Sequence, residues 1–386
     1  MSAAALASVS APIRVVHLSS VHDAHDVRIF HRECRSLAEA GYDVVLVAPH
    51  DADETSRGVK ILAVPRPKGR WERATRTAWR VFRKGLAAHG AVYHLHDPEL
   101  LPWGLALKLL GKRVIYDAHE NVPKDVLTKH YLPRAARAAL AVVADLAERA
   151  ACAPLDGAIG VTPGIARRFP RTRRALVRNY PRVEELALPG AQPYAVRRPI
   201  VAYVGGLSAI RGVREMVRAI GRVDPALGAE LRLAGRLDPP ELERGLESEP
   251  GWSRTVRLGW QTREQVASLL GTARVGLLVL HPAPNHLDSL PIKLFEYMSA
   301  GLPVVASDFA AWRSMVSDAG LWVDPLDPSA IAAAIERLLT RPEEAERMGR
   351  RGREAVRARF PWEGEARTLA ALYRRIAGPP DGRTAS

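Results

Sequence analysis

Residues 286–306 read HLDSLPIKLFEYMSAGLPVVA, and their order decides the fold. Pro291 suits the first turn of a helix, where its missing N–H costs nothing. Leu290–Ala300 carries the helical pattern, and Pro303–Ala306 is a short apolar run fit for a strand buried on both faces. Asp288 and Ser289 fall just ahead of the helix, where unpaired N–H groups accept an anion. Lys293 lies in the first turn, against the usual dipole preference for acids there, and makes sense where an anion neutralises it. Glu296 follows one to two turns on. Asp288 and Glu296 are thus placed to hold hydroxyl groups at two ends of an elongated ligand with phosphate between. The plainer alternative makes Asp288 an N-cap and Glu296 the buried partner of an arginine.

Outward from this stretch, strand and helix alternate almost throughout. In the first half the strand candidates are Ile13–Leu18, Asp43–Ala48, Lys60–Val64, Ala91–Leu95, Arg113–Asp117, Gly157–Val161 and Ala175–Arg178. Helical patterns separate them, such as Val27–Ala40 ending at Gly41. Such a repeat implies a parallel, doubly wound sheet with right-handed crossovers. Residues 183–198 lose the periodicity and carry Leu188-Pro189-Gly190 and Pro193, the signature of a linker. The alternation restarts with Ile200–Val204, Glu230–Leu233, Thr255–Leu258, Val275–Leu280, Pro303–Ala306 and Leu321–Val323. The expected organisation is therefore α/β with two doubly wound domains, residues 1–190 and 199–360. Two such domains expect a ligand at the carboxyl ends of their strands, in a cleft.

The chain has 386 residues, 56 basic and 42 acidic, for a net charge of +14. Residues 1–190 hold 29 basic and 19 acidic residues, so +10 of the excess lies in the first half. That half is expected to meet something anionic. With 47% hydrophobic and 25% charged residues the composition is that of a globular protein. Two cysteines, Cys34 and Cys152, exclude a disulfide framework and a cysteine zinc site, and they point to a reducing compartment. The amino terminus makes a poor signal peptide, and no apolar run approaches a membrane span. A cytoplasmic protein is expected, one that can lie on the inner membrane face.

A second segment, Tyr203-Val-Gly-Gly-Leu-Ser-Ala-Ile-Arg-Gly212, ends a strand and opens a helix. Gly205 and Gly206 let a phosphate approach the backbone, and Arg211 adds a charged fork. It is neither G-x-G-x-x-G nor a P-loop; in isolation a simple strand-to-helix turn accounts for it.

Together these segments resemble the retaining family-4 (group 1) glycosyltransferases. That family's signature is Glu, seven residues, Glu, then a small-residue turn with Pro-Val-Val. Here the pair is Asp288 and Glu296, followed by Gly301-Leu-Pro-Val-Val305. Arg257-Leu-Gly-Trp260, Asn179-Tyr-Pro181 and Phe360-Pro-Trp-Glu363 fit the family in order. The resemblance implies the GT-B fold: two Rossmann-like domains facing across a cleft, and a last helix, residues 361–378, crossing back to the first. It implies a nucleoside-diphosphate sugar bound by Gly205, Gly206, Ser208, Arg211, Ser289, Leu290, Lys293 and Glu296. It also implies that His119, Asp288, Arg211 and Lys293 serve catalysis, with His119 beside the reacting sugar. Three departures stand out. The first acid is Asp288, Gly206 replaces a phosphate-binding arginine, and Arg211 replaces a lysine, which keeps charge but changes geometry.

In the first domain, Ser19-Ser-Val-His-Asp-Ala-His-Asp-Val-Arg28 follows the first strand. Asp23, His25 and Arg28 are expected to face the acceptor, as are His96 and Asp97 of His94-Leu-His-Asp-Pro-Glu99. His119 lies in Tyr116-Asp-Ala-His-Glu120. These loops also admit a metal reading, since His94-x-His96-Asp97 resembles a metal-hydrolase ligand pair. The transferase reading expects no cofactor and no metal, with Arg211, Lys293 and the helix at Pro291 neutralising the leaving diphosphate. Two alternatives remain: an inactive sugar-nucleotide-binding protein and a metal-dependent hydrolase. Residues 66–84 hold eight Lys or Arg against one Glu, with Trp71, Ala78, Trp79, Phe82 and Leu86 at helical spacing. They form either a crossover helix packed on the sheet or a face for anionic lipid. The expected partners are a nucleotide-sugar donor, a glycan or lipid-linked acceptor and an anionic membrane surface. Nucleic acid is not expected, since no binding module accompanies the charge.

Overall fold

The computed structural model describes residues 11–119, 121–127, 133–186, 192–287 and 290–380. The chain divides into two compact units, residues 1–179 with 363–386 and residues 180–362.

The first unit is built on an eight-stranded sheet: β1 (Arg14–Leu18), β2 (Asp43–Pro49), β3 (Glu54–Ser56), β4 (Val59–Val64), β5 (Val92–Leu95), β6 (Arg113–Ala118), β7 (Gly157–Gly160) and β8 (Arg174–Leu176). Their order is β3-β4-β2-β1-β5-β6-β7-β8, parallel except for β3. The short β3 turns back on β4 through Arg57 and Gly58, both at positive φ. The sequence pattern marks no strand here, because three polar residues on a sheet edge carry no apolar alternation. Asp53 serves this edge, accepting from Ala63 N at 2.7 Å and Lys84 Nζ at 2.8 Å.

Strand alternation gives the two faces of this sheet different cores. Val16, Leu18, Tyr93 and Leu95 join an apolar cluster with Val81, Phe82 and Leu101 of the crossover helices. Their neighbours His17, His94 and His96 point the other way and are buried. On that face lie the segment Ile29–Glu39 and the last helix, Trp362–Ala377. Tyr373 OH lies 2.8 Å from His94 Nδ1 and 3.2 Å from His17 Nε2. Glu365 accepts from Arg178 N at 2.7 Å. These contacts place the last helix in the first unit, although the chain reaches it from the second.

The expected helix over Val27–Ala40 begins as a wide turn, Ile29–Cys34, before tightening to α-helix at Arg35–Glu39 and ending at Gly41 with φ +95°. The i→i+5 bond from Glu33 N to Arg28 O stacks these two side chains, and Arg28 Nη2 lies 2.9 Å from Glu33 Oε1. Cys34 and Cys152 are buried free thiols.

The second unit has six parallel strands: β9 (Ile200–Val204), β10 (Glu230–Ala234), β11 (Thr255–Gly259), β12 (Val275–Leu278), β13 (Val304–Ser307) and β14 (Gly320–Val323). Their order is β11-β10-β9-β12-β13-β14. One large apolar core covers both faces. The division between units falls at Asn179/Tyr180, ahead of the stretch expected as linker. The Tyr180 ring packs 5.5 Å from Phe295 and 5.2 Å from Phe360, and Trp362 N donates to Pro181 O at 3.1 Å. Residues 180–186 are thereby part of the second unit's packing.

Candidate functional site

In the second unit the site grows from the end of β9. Gly205 has φ +145°, which side-chain-bearing residues rarely adopt. Tyr203 OH donates to Gly206 O at 2.9 Å, and Tyr297 OH accepts from Val204 N at 2.9 Å. Two buried tyrosines thus hold the strand end and the loop in place. Gly212, at φ +74°, opens the helix Val213–Arg222, and a Cβ there would overlap Val279 O at 2.0 Å.

Two cations lie over this loop. A Cβ at Gly206 would stand 3.5 Å from Arg211 Nη1, and one at Gly205 would stand 3.5 Å from Lys293 Cε. The exposed Arg211 and the half-buried Lys293 come from opposite ends of the sequence motif set. Ser208 N-caps the short turn Ala209–Arg211 without a side-chain capping bond, and Leu290 packs against the core at the head of the helix Ile292–Ser299.

Glu296 is fully buried. Its Oε1 accepts from Arg263 Nη1 at 2.6 Å, and its Oε2 accepts from Lys293 Nζ at 3.0 Å. This corrects the expectation that Lys293 awaits an anion: Glu296, one turn along, already meets it. Glu296 is also the buried partner of an arginine, as the plainer alternative had it. Sequence reasoning missed Arg263, whose only signal is its place after Arg257-Leu-Gly-Trp260 in the next βα turn. Asp288 and Ser289 lie outside the described residues.

In the first unit the strand ends carry a hydrogen-bonded histidine–carboxylate network. Asp117, at the end of β6, takes Arg28 Nε at 2.7 Å and Nη2 at 2.8 Å. Arg28 Nη1 donates to Asn179 Oδ1 at 2.6 Å and Val177 O at 3.2 Å. Arg28 was expected to face a ligand, but it is buried and every guanidinium nitrogen is engaged by the chain. His96 is likewise buried, 2.9 Å from His17 Nδ1 and 3.3 Å from Asp117 Oδ2. Both residues position others rather than meet solvent. Asp97 is buried too, and its Oδ2 accepts from Ser19 Oγ, Ser20 N and Ser20 Oγ at 3.0, 2.6 and 3.2 Å.

Asp23 and His25 sit nearer the surface. Asp23 accepts from His25 N at 3.0 Å and Arg66 Nη1 at 2.7 Å; burial works against its charge, but these two donors outweigh it and lower its pKa. His25 Nε2 meets Glu54 Oε1 at 2.7 Å. His119, half-buried after β6, has Nε2 at 3.0 Å from His22 Nε2 and Nδ1 at 3.5 Å from Asp117 Oδ2. The structure therefore gathers His96, Asp97 and His119 with His22, Asp26 and Asp117, which the sequence reading passed over. Each belongs to one of the three histidine loops, but only folding shows which of them converge.

Burial pushes the pKa values of His17 and His94 well below the ordinary imidazole range, and the neighbouring His96 adds to it. Burial likewise raises Glu33, with Arg28 opposing and Asp117 reinforcing the shift. Asp117 is held well below the usual carboxylate range: burial opposes its charge, and Arg28 overcomes it.

The two α/β units and the glycine loop define a class, and comparison with known proteins agrees. Residues 27–178 match the family model described as Glycosyltransferase Family 4, and residues 198–341 match Glycosyl transferases group 1. The chain belongs to the group 1, family-4 glycosyltransferases. It is 29% identical over 182 residues to the MMP alpha-(1->4)-mannosyltransferase of Mycolicibacterium hassiacum, covering 46% of this chain and 43% of that protein. It is 28% identical over 183 residues to the alpha-D-kanosaminyltransferase of Streptomyces kanamyceticus, covering 46% of each. The chain thus spans less than half the length of these curated relatives. Among solved structures, sucrose-phosphate synthase from Thermosynechococcus elongatus superposes with a TM-score of 0.74 at 22% identity, covering 94% of this chain and 99% of that one. HepE from Anabaena, in complex with UDP-glucose, gives 0.67 at 12% identity, covering 94% and 100%. These likenesses establish the fold as that of GT-B glycosyltransferases.

Proposed function

We infer that the protein is a retaining glycosyltransferase that takes a sugar from a nucleoside diphosphate and hands it to an acceptor, a lipid-linked or surface-polysaccharide intermediate. The carrying observation is the pair of cations, Arg211 and Lys293, over the Gly205–Gly206 loop with the buried Glu296 beside them. The bound UDP-glucose of the HepE structure supports the donor class. In this reading the anomeric carbon–oxygen bond to the diphosphate breaks and the acceptor oxygen bonds to the same face of the sugar. The acceptor's proton passes to a phosphate oxygen. Arg211, Lys293 and loop N–H groups stabilise the charge that grows on the leaving diphosphate, without metal at this site. Glu296 holds the ribose, Ser208, Ser289 and Leu290 line the donor, and Asp288 and His119 bind the transferred sugar.

Arg211→Ala removes a charged donor that strengthens in the transition state, and kcat should fall by about 10²–10³. Glu296→Ala should raise the donor KM and leave Arg263 buried without its carboxylate. A panel of UDP, GDP, ADP and CMP with their sugar conjugates, followed by thermal shift in EDTA, names the donor: ligand at about 100 Kd adds about 2.7 kcal/mol. Wild-type transfer rates in both variants would overturn the assignment. Stabilisation only by metal would favour the hydrolase.

The acceptor's setting follows from the first unit's outer helices. The helices Ala78–Ala87, Leu101–Leu109 and Arg134–Cys152 follow right-handed crossovers on one face of the sheet. Ala78 and Phe82 pack inward, but Trp79 stays 43% exposed against Trp103, and Trp71 is 85% exposed. Leu109, Val142, Val143 and Leu146 are exposed on the helices Leu101–Leu109 and Arg134–Cys152, and Arg76, Arg80 and Arg83 are exposed in the segment 73–87. Among the described residues no helix is long and apolar enough to cross a membrane. This layer suits an anionic bilayer surface. Changing Arg76 and Arg80 to Ala should weaken co-sedimentation with phosphatidylglycerol vesicles by about 2 kcal/mol, roughly thirty-fold. Equal binding to neutral vesicles would refute the electrostatic part.

A further inference from the structure

The histidines buried between the first unit's sheet and the last helix lie in one hydrogen-bonded series. His96 Nδ1 is 3.3 Å from Asp117 Oδ2, and His96 Nε2 is 2.9 Å from His17 Nδ1. His17 Nε2 is 3.2 Å from Tyr373 OH, which is 2.8 Å from His94 Nδ1. All five side chains are buried. Burial keeps the three imidazoles neutral, so each ring has one proton to give.

Each bond taken alone runs either way, because a neutral imidazole donates from one nitrogen and accepts at the other, and a hydroxyl does both. The series as a whole runs one way. Asp117 is ionised, held by Arg28 Nε and Nη2 at 2.7 and 2.8 Å, and a carboxylate only accepts. His96 therefore carries its proton on Nδ1 and accepts at Nε2. His17 then donates from Nδ1 and accepts at Nε2 from the Tyr373 hydroxyl. With that proton spent, the Tyr373 oxygen accepts from His94 Nδ1. The series ends at His94 Nε2, which has no hydrogen-bond partner among the described residues. Reversed, the series would set a His96 lone pair against the Asp117 charge. It would also leave a buried N–H at His94 Nε2 unpaired, and an orphaned N–H is rarer in proteins than an orphaned acceptor.

We propose that Tyr373 is a positioning residue, whose hydroxyl closes a one-way series from His94 through Tyr373, His17 and His96 to Asp117 and so fixes all three imidazoles as Nδ1–H. Only a group that both accepts and donates can join His94 to His17. Glu33 Oε2, 3.9 Å from His94 Nδ1, is too far to compete with the hydroxyl. Aligned hydrogen bonds polarise one another, so the last link, onto Asp117 Oδ2, is strongest with the series intact. The same oxygen lies 3.5 Å from His119 Nδ1. The last helix thereby helps set the carboxylate beside His119. A consequence for the transferred sugar rests on the role proposed for His119; the tautomer pattern does not.

The test is long-range ¹⁵N–¹H NMR of the full chain with ¹⁵N-labelled histidine at pH 8, above the ordinary imidazole range, with UDP stabilisation measured on the same proteins. Wild type should show His17, His94 and His96 all protonated at Nδ1. Tyr373→Phe keeps the ring and removes the hydroxyl. It should shift the resonances of His17 Nε2 and His94 Nδ1, which lose their partner, and also those of His96 and His119, which keep theirs. Tyr42→Phe is the matched control, since Tyr42 OH donates to Gly378 O at 3.2 Å just past the same helix but stands outside the series. It should leave all four histidines as in wild type, and UDP stabilisation should persist in both variants. An Nε2 proton on any of the three in wild type would overturn the proposal. So would His96 and His119 unmoved in Tyr373→Phe, or the same shifts in Tyr42→Phe. A wild type that UDP fails to stabilise would instead count against the donor site.

Discussion

Arg28→Ala should destabilise the first unit by about 3–5 kcal/mol, a large share of a domain's ~5–15 kcal/mol. The reason is what the arginine leaves behind. Asp117 and Glu33 are both fully buried, and one guanidinium serves both. Two carboxylates around one cation in a dry place do not both ionise. The directions of their shifts say how the charge divides: Asp117 holds it and Glu33 keeps its proton. Removing Arg28 strands the Asp117 charge and also frees Asn179 Oδ1 and Val177 O of their donor. Glu33→Gln changes no charge in this account and should cost far less, within about 1.5 kcal/mol. Urea denaturation of both variants at pH 7 checks the pair. Equal losses would show that Glu33 is ionised and the division of charge is wrong.

The second large effect is acid sensitivity. His17 and His94 have folded pKa values below the ordinary value of 6.5, so both are neutral in the native state at pH 7. Unfolding exposes them, and below pH 6.5 the unfolded chain binds protons that the folded chain refuses. Stability is therefore fully present above pH 6.5 and falls as pH drops below it. Two such groups give a slope of up to about 2.7 kcal/mol per pH unit. His96, next in the stack, adds in the same direction, while Asp117, with its depressed folded pKa, adds its own loss at lower pH. Glu33 has the opposite sign: its raised pKa favours the folded state at low pH and loses that contribution as pH rises. It softens the slope without reversing it, since one group opposes several. Urea midpoints at pH 8, 6.5 and 5.5 in EDTA should not fall across the first interval, where Glu33 acts alone and adds stability as pH drops, and should drop across the second, where the imidazoles outweigh it. A flat profile to pH 5.5 would mean that these imidazoles are hydrated or already charged.

Much of the architecture was legible because buried parallel strands announce themselves. Val44–Val47, Val201–Val204 and Val304–Ala306 are short apolar runs between helical patterns, and each became a strand. The edge strand β3 did not announce itself, since Glu54–Ser56 is polar and owes its pairing to the turn at Arg57 and Gly58. The division at Tyr180 was misplaced for a similar reason: aromatic packing on Phe295 and Phe360 leaves no local pattern.

The sites divide along the same line. Sequence alone determined the fold class, the glycine loop, the residue types offered to a phosphate and the family, because backbone conformation and charge are local properties that spacing records. The tertiary structure alone decided which polar groups spend themselves on one another. Lys293 meets Glu296, Arg28 is consumed by Asp117 and Glu33, and His22 joins His119 across 97 positions of sequence. Burial makes those pairings, since an ionisable group taken out of water must find a partner or give up its charge. Which partner it finds depends on distances through space that no spacing along the chain encodes.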